Sequence, residues 1–240
     1  MVPDGERSVG VSERPHPDPV PMTVGLSARL IVRTALNSDK PGLVEVLLHA
    51  FPDLFQRAFG GRLDAGGDAL LRLLSEPVPA ETLWIAAFDE DVIASMQVGT
   101  LRTPAPDVLK LLQIMGGYLG FLPGLKATMT INPFLSKPSE QGLYINYIAV
   151  RPEFQRHGVG RTMLQRAIEL TMYEGLPQTM TWLPDSSRPA QKLHDELGFR
   201  VRKTYRSTLL QRLTGEGVWH YYTRPAAIPV RNLKPVVELS

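Results

Sequence analysis

The residues best suited to chemistry in this chain lie between Val150 and Arg161, in the stretch VRPEFQRHGVGR. Gly158 and Gly160 stand one residue apart, and Arg156, His157 and Arg161 crowd the same turn. Glycine lets a backbone N–H come close to an anion, because no Cβ intervenes. A helix that begins at such a turn adds unpaired N–H groups and partial positive charge. A turn of this make-up can hold a phosphate or pyrophosphate. Two familiar phosphate motifs do not fit. A P-loop needs Gly-Lys-Ser/Thr after its glycines, where this chain has Arg161–Thr162. A dinucleotide fingerprint needs a third glycine where Met163 stands. The spacing alone leaves two readings open: an anion cradle, or a turn that needed glycine for its own shape.

Two elements must position that turn. Seven of the eight residues from Leu143 to Val150 are apolar or aromatic, which marks a central strand covered on both faces. Apolar spacing at Met163, Leu164, Ala167, Ile168 and Thr171 predicts a helix from Gly158 to Glu174, stopped by Gly175. Upstream, ARLIVRTAL reads as a short strand. Helical spacing follows at Leu43, Val46, Leu47, Ala50 and Leu54, and GDALLRLLSE is a second helical piece. TLWIAAF and VIASMQVGTL form a hairpin with a three-residue turn, Asp89–Glu90–Asp91. Downstream, QTMTWL is a strand. SSRPAQKLHDELGF is a helix with Ser at its start, Pro in its first turn and Gly198 at its end. Its inner stripe is Ala190, Leu193, His194 and Leu197. Two more strands are expected near RVRKTYRSTLLQR and VWHYYTR. The order describes one α/β domain on a mixed sheet.

Composition narrows the classes. The chain has 240 residues, 43% of them hydrophobic, enough for a real core. Its formal net charge is only +2, so no global field draws it to nucleic acid or membrane, and an anion site must be local. Without cysteine there is no disulfide, thiolate metal site or cysteine nucleophile. No signal-peptide core opens the sequence, and no run approaches the roughly 20 apolar residues of a membrane span. The expectation is a soluble, cytoplasmic protein with no metal, nucleic-acid partner or membrane partner. Residues 1–27 read as a disordered tail, 28–224 as the domain, and 225–240 as a Pro-rich tail. Residues 103–141 interrupt the pattern with DVLKLLQIMGGYLGFLPGLKATM, apolar nearly all round. This segment reads as a buried or capping helix pair, or as a pocket wall lined by Tyr118, Phe121 and Phe134. A membrane-surface element fits it less well, because its polar face is thin.

Gln155-x-x-Gly158-x-Gly160 follows Val150-x-Pro152 at the end of an apolar strand. An amphipathic helix, a strand and a helix ending Leu197–Gly198–Phe199 come after it. In that setting the motif resembles the acyl-CoA-binding motif of the GNAT superfamily of N-acetyltransferases. The resemblance covers roughly residues 28 to 224, and the 103–141 insertion looks like those of small-molecule acetyltransferase branches. It implies an α/β fold with a mixed, mostly antiparallel central sheet flanked by helices. It also implies acetyl-CoA as cosubstrate and a small-molecule amine as acceptor, with direct attack in a ternary complex, and it allows a homodimer. On this resemblance the backbone of Ile148, Ala149 and Val150 pairs with the pantetheine arm. The turn formed by Gln155, Arg156, His157, Gly158, Val159, Gly160 and Arg161 wraps the pyrophosphate. Ser187 matches a position where the family often has an Asn that contacts the cofactor.

Acetyl transfer needs a neutral amine, a polarised thioester carbonyl and a protonated leaving thiolate. A backbone N–H near Val150 can polarise the carbonyl. The family commonly has a Tyr four residues before the LGF glycine, and this chain has His194 there. As imidazolium, His194 could protonate a thiolate; as neutral imidazole it could hydrogen-bond the sulfur; or it could be a core histidine that fills the Tyr-shaped space. Asn146, the one polar residue inside the central strand, could orient a water or the acceptor, or satisfy a sheet bulge. Glu140 is a candidate base or an exposed loop acid, and Trp182 is core or a wall of the acceptor site. Two other functions stay open: acetylation of a protein or peptide, and a non-catalytic CoA-binding sensor.

Overall fold

The computed structural model describes residues 30–76, 82–104, 107–135 and 140–226. The expected 1–27 tail and residues 227–240 lie outside them. Among the described residues seven strands form one sheet: β1 (Leu30–Thr34), β2 (Leu83–Phe88), β3 (Asp91–Gly99), β4 (Leu143–Val150), β5 (Gln178–Pro184), β6 (Arg200–Arg206) and β7 (Val218–Pro225). Their order is β1-β2-β3-β4-β5-β7-β6. Every neighbouring pair is antiparallel except β4 and β5. This is the expected mixed, mostly antiparallel sheet.

Helices flank both faces. On the front lie α1 (Lys40–Ala50), α2 (Pro52–Phe59) and α3 (Leu63–Leu74), with α4 (Val108–Leu119) and α5 (Phe121–Ile131) packed beyond them. Leu43, Val46, Phe55 and Ala69 close a core there against Ile85 and Ala149. On the back lie α6 (Val159–Tyr173) and α7 (Arg188–Glu196), where Val159, Met163, Leu164 and Ala167 bury against Ile93, Met96 and Ile145. A short α8 (Thr208–Thr214) bridges β6 and β7 and touches α2 and α5.

Several expected boundaries move for local reasons. The helix expected to run through Leu54 breaks at Phe51, because Pro52 lacks an N–H and opens α2 instead. The hairpin turn has two residues, not three. Asp89 and Glu90 both take positive φ, 49° and 77°, and Asp91 already pairs with Phe88. The strand expected near Arg200 to Arg212 stops at Arg206, where Ser207 Oγ caps α8 by accepting from the Leu210 N–H at 3.2 Å. The sheet also runs past the expected domain end, through Pro225 in β7, and Ala226 N–H donates to the Pro177 carbonyl at 2.9 Å.

The 103–141 insertion is a helix pair that folds back at Gly120 (φ 85°). A Cβ on Gly124 would meet the Gly116 backbone nitrogen at 2.5 Å, so only glycine lets the two helices approach this closely. Leu111, Met115, Leu119, Ala127 and Ile131 bury inward. Tyr118 and Phe121 do not line a pocket: they are 45% and 72% exposed, because the helices turn their other faces to the core. The side chain of Phe134 lies outside the described residues.

Candidate active site

The site begins where β4 loses a neighbour. Its parallel pairing with β5 covers only Leu143↔Thr179, Tyr144↔Met180 and Ile145↔Thr181. Thr181 Oγ1 donates to the Ile145 carbonyl at 3.0 Å at this last pair, and from there the strands splay. β4 continues to Val150 on β3 alone.

Antiparallel geometry says which groups face the gap. Arg151 N–H donates to the Ile93 carbonyl at 2.9 Å, so Arg151 and Ile93 are a hydrogen-bonded pair. Hydrogen-bonded pairs alternate along an antiparallel ladder. Ala149 opposite Ser95 and Tyr147 opposite Gln97 therefore direct their backbone groups to β3. Ile148 and Val150 direct theirs into the gap. Of the three residues expected to offer backbone to a ligand, Ala149 is thus turned the other way.

Asn146 is the extra residue of a β-bulge. The register steps from Ile145↔Val98 to Tyr147↔Gln97 with Asn146 between. Leu143 and Ile145 before the bulge, and Ile148 and Val150 after it, face α6 on the back. Tyr144, Tyr147 and Ala149 face the front.

The turn after β4 closes the mouth of the gap. Arg156 and Gly158 take positive φ, 66° and 86°. Gly158 caps α6 with no side-chain hydrogen bond, and the first intrahelical bond runs from Thr162 N–H to the Gly158 carbonyl at 3.0 Å. The N–H groups of Val159, Gly160 and Arg161 have no acceptor in the helix. The two glycines are needed for different reasons. Gly158 has nothing within 4 Å of a built Cβ, so only its left-handed φ demands glycine. At Gly160 a Cβ would make ordinary contacts with Val150 Cγ2 at 3.8 Å and Leu193 Cδ2 at 3.9 Å. Neither the protein's packing nor the backbone needs glycine at 160.

The side chains of the turn divide. Gln155 reaches back, its Nε2 donating to the Val150 carbonyl at 3.1 Å, and ties the turn to the strand end. Arg161 pairs with Glu196 of α7. Arg156 is exposed and His157 half-buried, and neither has a side-chain partner among the described residues. Ser187 is the N-cap residue of α7, at the end of β5 across the gap, and its side chain makes no capping bond.

His194 is buried (4% exposed) on the inner face of α7, edge-on to Phe199 and 5.8 Å from the Tyr222 ring. Tyr222 pairs with Thr181, the last residue of β5 in register with β4, so His194 lies behind the apex of the splay. Its Nδ1 lies 2.7 Å from the Ala190 carbonyl, which can only accept. Nδ1 therefore carries the proton, and buried Nε2 holds a lone pair with no partner among the described residues. Burial pushes the imidazole below its ordinary value, against the pull of the Ala190 carbonyl and Asp195. The resting ring is neutral and offers an acceptor.

Glu140 sits at the other end of β4. There it accepts from Gln178 Nε2 at 3.3 Å and pairs with Lys203 at 3.5 Å, on the paired side of the splay. Trp182 follows the last β4–β5 pair and leans on Tyr221 at 4.9 Å. Three features were not legible in the sequence. Tyr147 meets Phe51 edge-on at 6.4 Å, its hydroxyl lies 3.4 Å from Ser95 Oγ, and burial pushes the phenol up to about 12. Arg151 pairs with Glu45 of α1. The splay itself leaves no mark in a run that is apolar but for Asn146.

A model of the acetyltransferase (GNAT) family matches residues 48–199. Among solved structures, the chain is similar to the ribosomal-protein-S18-alanine N-acetyltransferase from Escherichia coli, with 15% identity, a TM-score of 0.50, and coverage of 85% of this chain and 98% of that one. It is also similar to a GCN5-related N-acetyltransferase from Kribbella flavida, with 18% identity, a TM-score of 0.53, and coverage of 83% and 99%. At these identities the likeness shows the fold. No curated protein matches the chain.

Proposed function

The chain belongs to the acetyltransferase (GNAT) family, whose general activity is acetyl-CoA-dependent N-acetylation, and on that premise we propose that it acetylates the amine of a small molecule. One observation carries the reading: a free strand edge and a free helix N-terminus meet at the same mouth. An extended amide-bearing arm fits the first, and a pyrophosphate fits the second. Gly160, which the protein itself does not require, supports a ligand approaching the backbone there.

Bound acetyl-CoA supplies the acetyl thioester. The chain's own residues bind, orient and move protons. Ile148 offers its N–H and C=O and Val150 its N–H to the arm, the Val150 carbonyl already accepting from Gln155, and an N–H on that edge can polarise a carbonyl without any side chain. The N–H groups of Val159, Gly160 and Arg161, with Arg156 and His157, hold the diphosphate, while Gln155 keeps the turn in place. Ser187 adds a hydroxyl from the opposite bank. His194 acts through Nε2, which in the resting ring accepts a hydrogen bond rather than donating one. Holding both reactants in register contributes much of the rate. The front of the gap, with Tyr147 on one strand and Trp182 on the other, supports a small, partly apolar acceptor.

The test is calorimetry with acetyl-CoA, followed by thiol release with a panel of small amines and peptides. Acetyl-CoA binding with turnover on small amines is expected. Turnover on peptides alone would move the acceptor to proteins. Binding without turnover on any amine would favour a sensor, and no binding would overturn the reading.

A further inference from the structure

We infer that the acceptor is a weakly basic aromatic amine, taken in its neutral form, and not an alkylammonium; this rests on the acetyl transfer proposed above. At the front of the splay the two strands present an aromatic ring each, and one amide-bearing residue stands at the bulge beside them. Tyr147 and Asn146 stand on β4 just beyond the last β4–β5 pair, and Trp182 stands on β5 just beyond it. Both rings are braced from behind, Tyr147 by Phe51 at 6.4 Å and 82°, Trp182 by Tyr221 at 4.9 Å and 34°. Braced rings on two sides suit a flat aromatic guest. Asn146, at the bulge, neither takes nor gives a proton.

The surrounding titratable groups are engaged, remote or exposed. Tyr147 lies against Ser95, Tyr221 donates to Met180 Sδ at 2.9 Å, and burial raises the phenols of Tyr144, Tyr147 and Tyr221, which keeps them protonated. Glu45 is paired with Arg151, five residues along β4 from Asn146, or about 16 Å in an extended strand. Glu140 lies by the Tyr221 phenol, where Gln178 and Lys203 hold its carboxylate, and His194 packs on Tyr222 behind the sheet. His49 and Asp53 flank Phe51 at the α1–α2 corner and are exposed.

The proton balance follows from these groups. When a neutral aromatic amine attacks the thioester carbon, a C–N bond forms and the C–S bond breaks with its electron pair going to sulfur. One proton leaves nitrogen and one arrives on sulfur, so the products are amide and thiol with no net proton to remove. An alkylammonium carries a second proton, which must first pass to a base. An arylamine is already neutral at pH 7, whereas an alkylamine with a lysine-like pKa of about 10.4 is almost wholly protonated.

Aniline and cyclohexylamine make a size-matched pair of probes, run with acetyl-CoA on the full chain alongside calorimetry of acetyl-CoA. Aniline should show a kcat/KM at pH 7 at least tenfold above cyclohexylamine, flat from pH 6.5 to 8.5. In Asn146→Asp a carboxylate enters at the bulge beside the gap, and the aniline preference should fall at least threefold. Trp182→Leu should raise the KM for aniline at least threefold while the KM for cyclohexylamine changes less. Equal or better turnover of cyclohexylamine by the wild-type protein overturns the inference, as it would if Glu140, Asp53 or His49 acted as a base. Acetyl-CoA binding with neither amine acetylated also overturns it, yet leaves the cosubstrate site standing. Loss of acetyl-CoA binding itself would instead remove the acetyltransferase reading beneath it.

Discussion

Replacing Gly160 with Ala separates what the fold needs from what a ligand needs. The new methyl would touch Val150 Cγ2 and Leu193 Cδ2 at 3.8 and 3.9 Å, ordinary packing distances that displace nothing. Residue 160 lies in the first turn of α6 and does not take positive φ. Alanine in a helix is favoured over glycine by roughly 0.5–1 kcal/mol, and less at a helix end, so about 0.5 kcal/mol of added stability is expected. For a chain of this size, that raises Tm by roughly 1–2 °C. Binding should move the other way. A hydrogen bond to a charged group contributes roughly 1.5–3 kcal/mol, so a methyl that holds a phosphate away from one N–H weakens acetyl-CoA roughly 10- to 150-fold. Thermal melts without ligand and calorimetry with acetyl-CoA, at one fixed salt concentration, read the two effects separately. A lower Tm would mean that the fold itself requires the glycine. An unchanged Kd would mean that nothing approaches the backbone at this residue. Either result refutes the assignment of Gly160 to the ligand.

Gly158→Ala should behave in the opposite way. With φ at 86° and open space around its Cβ, the substitution costs about 1–2 kcal/mol of backbone strain and lowers Tm in the absence of any ligand; an unchanged melt would contradict the left-handed cap. His194→Phe should lower turnover at least tenfold while acetyl-CoA affinity stays within twofold, and full turnover would end any catalytic part for this ring. The same variant tests the buried neutral state. The imidazole's pKa is lowered on folding, so the unfolded chain binds more protons below about pH 6.5. Wild-type stability therefore falls as the pH drops below that point, by up to about 1.4 kcal/mol per pH unit from this residue. His194→Phe should lose less Tm between pH 7.5 and 5.5 than the wild type does, and an equal loss would show that His194 does not titrate on unfolding.

The sequence carried the strand–turn–helix at 143–174 because each part has a local cause. Seven apolar residues make a covered strand, glycine permits the left-handed cap, and spacing at Met163, Leu164 and Ala167 makes the buried stripe. What it could not carry depends on partners far along the chain. Arg161 meets Glu196, 35 residues away, so its charge looked free in the sequence. His194 fell on the expected inner stripe, but the orphan Nε2 appears only once the Ala190 carbonyl claims Nδ1. Tyr118 and Phe121 looked like lining because the segment is apolar all round. Only the packing of α4 and α5 on α1–α3 decides which side is buried.

The bulge at Asn146 explains why the central strand hid its own asymmetry. Had the alternation set by Leu143 and Ile145 continued, Tyr147 and Ala149 would point to α6, and Ile148 and Val150 to α1. The Tyr147 ring would then leave Phe51 and Ser95, and the back core would receive a large phenol where Val159 and Val150 now pack near Gly160. The extra residue reverses the phase in one step. The small aliphatic side chains of Ile148 and Val150 go behind the gap, the aromatic ring goes in front, and the backbone edge between them stays open where β5 departs. A strand that is apolar on both faces reads the same in either phase, so the run LYINYIAV could announce a strand but not this reversal. Its one polar residue marks the spot, and the pairing with Val98 and Gln97 gives that residue its meaning.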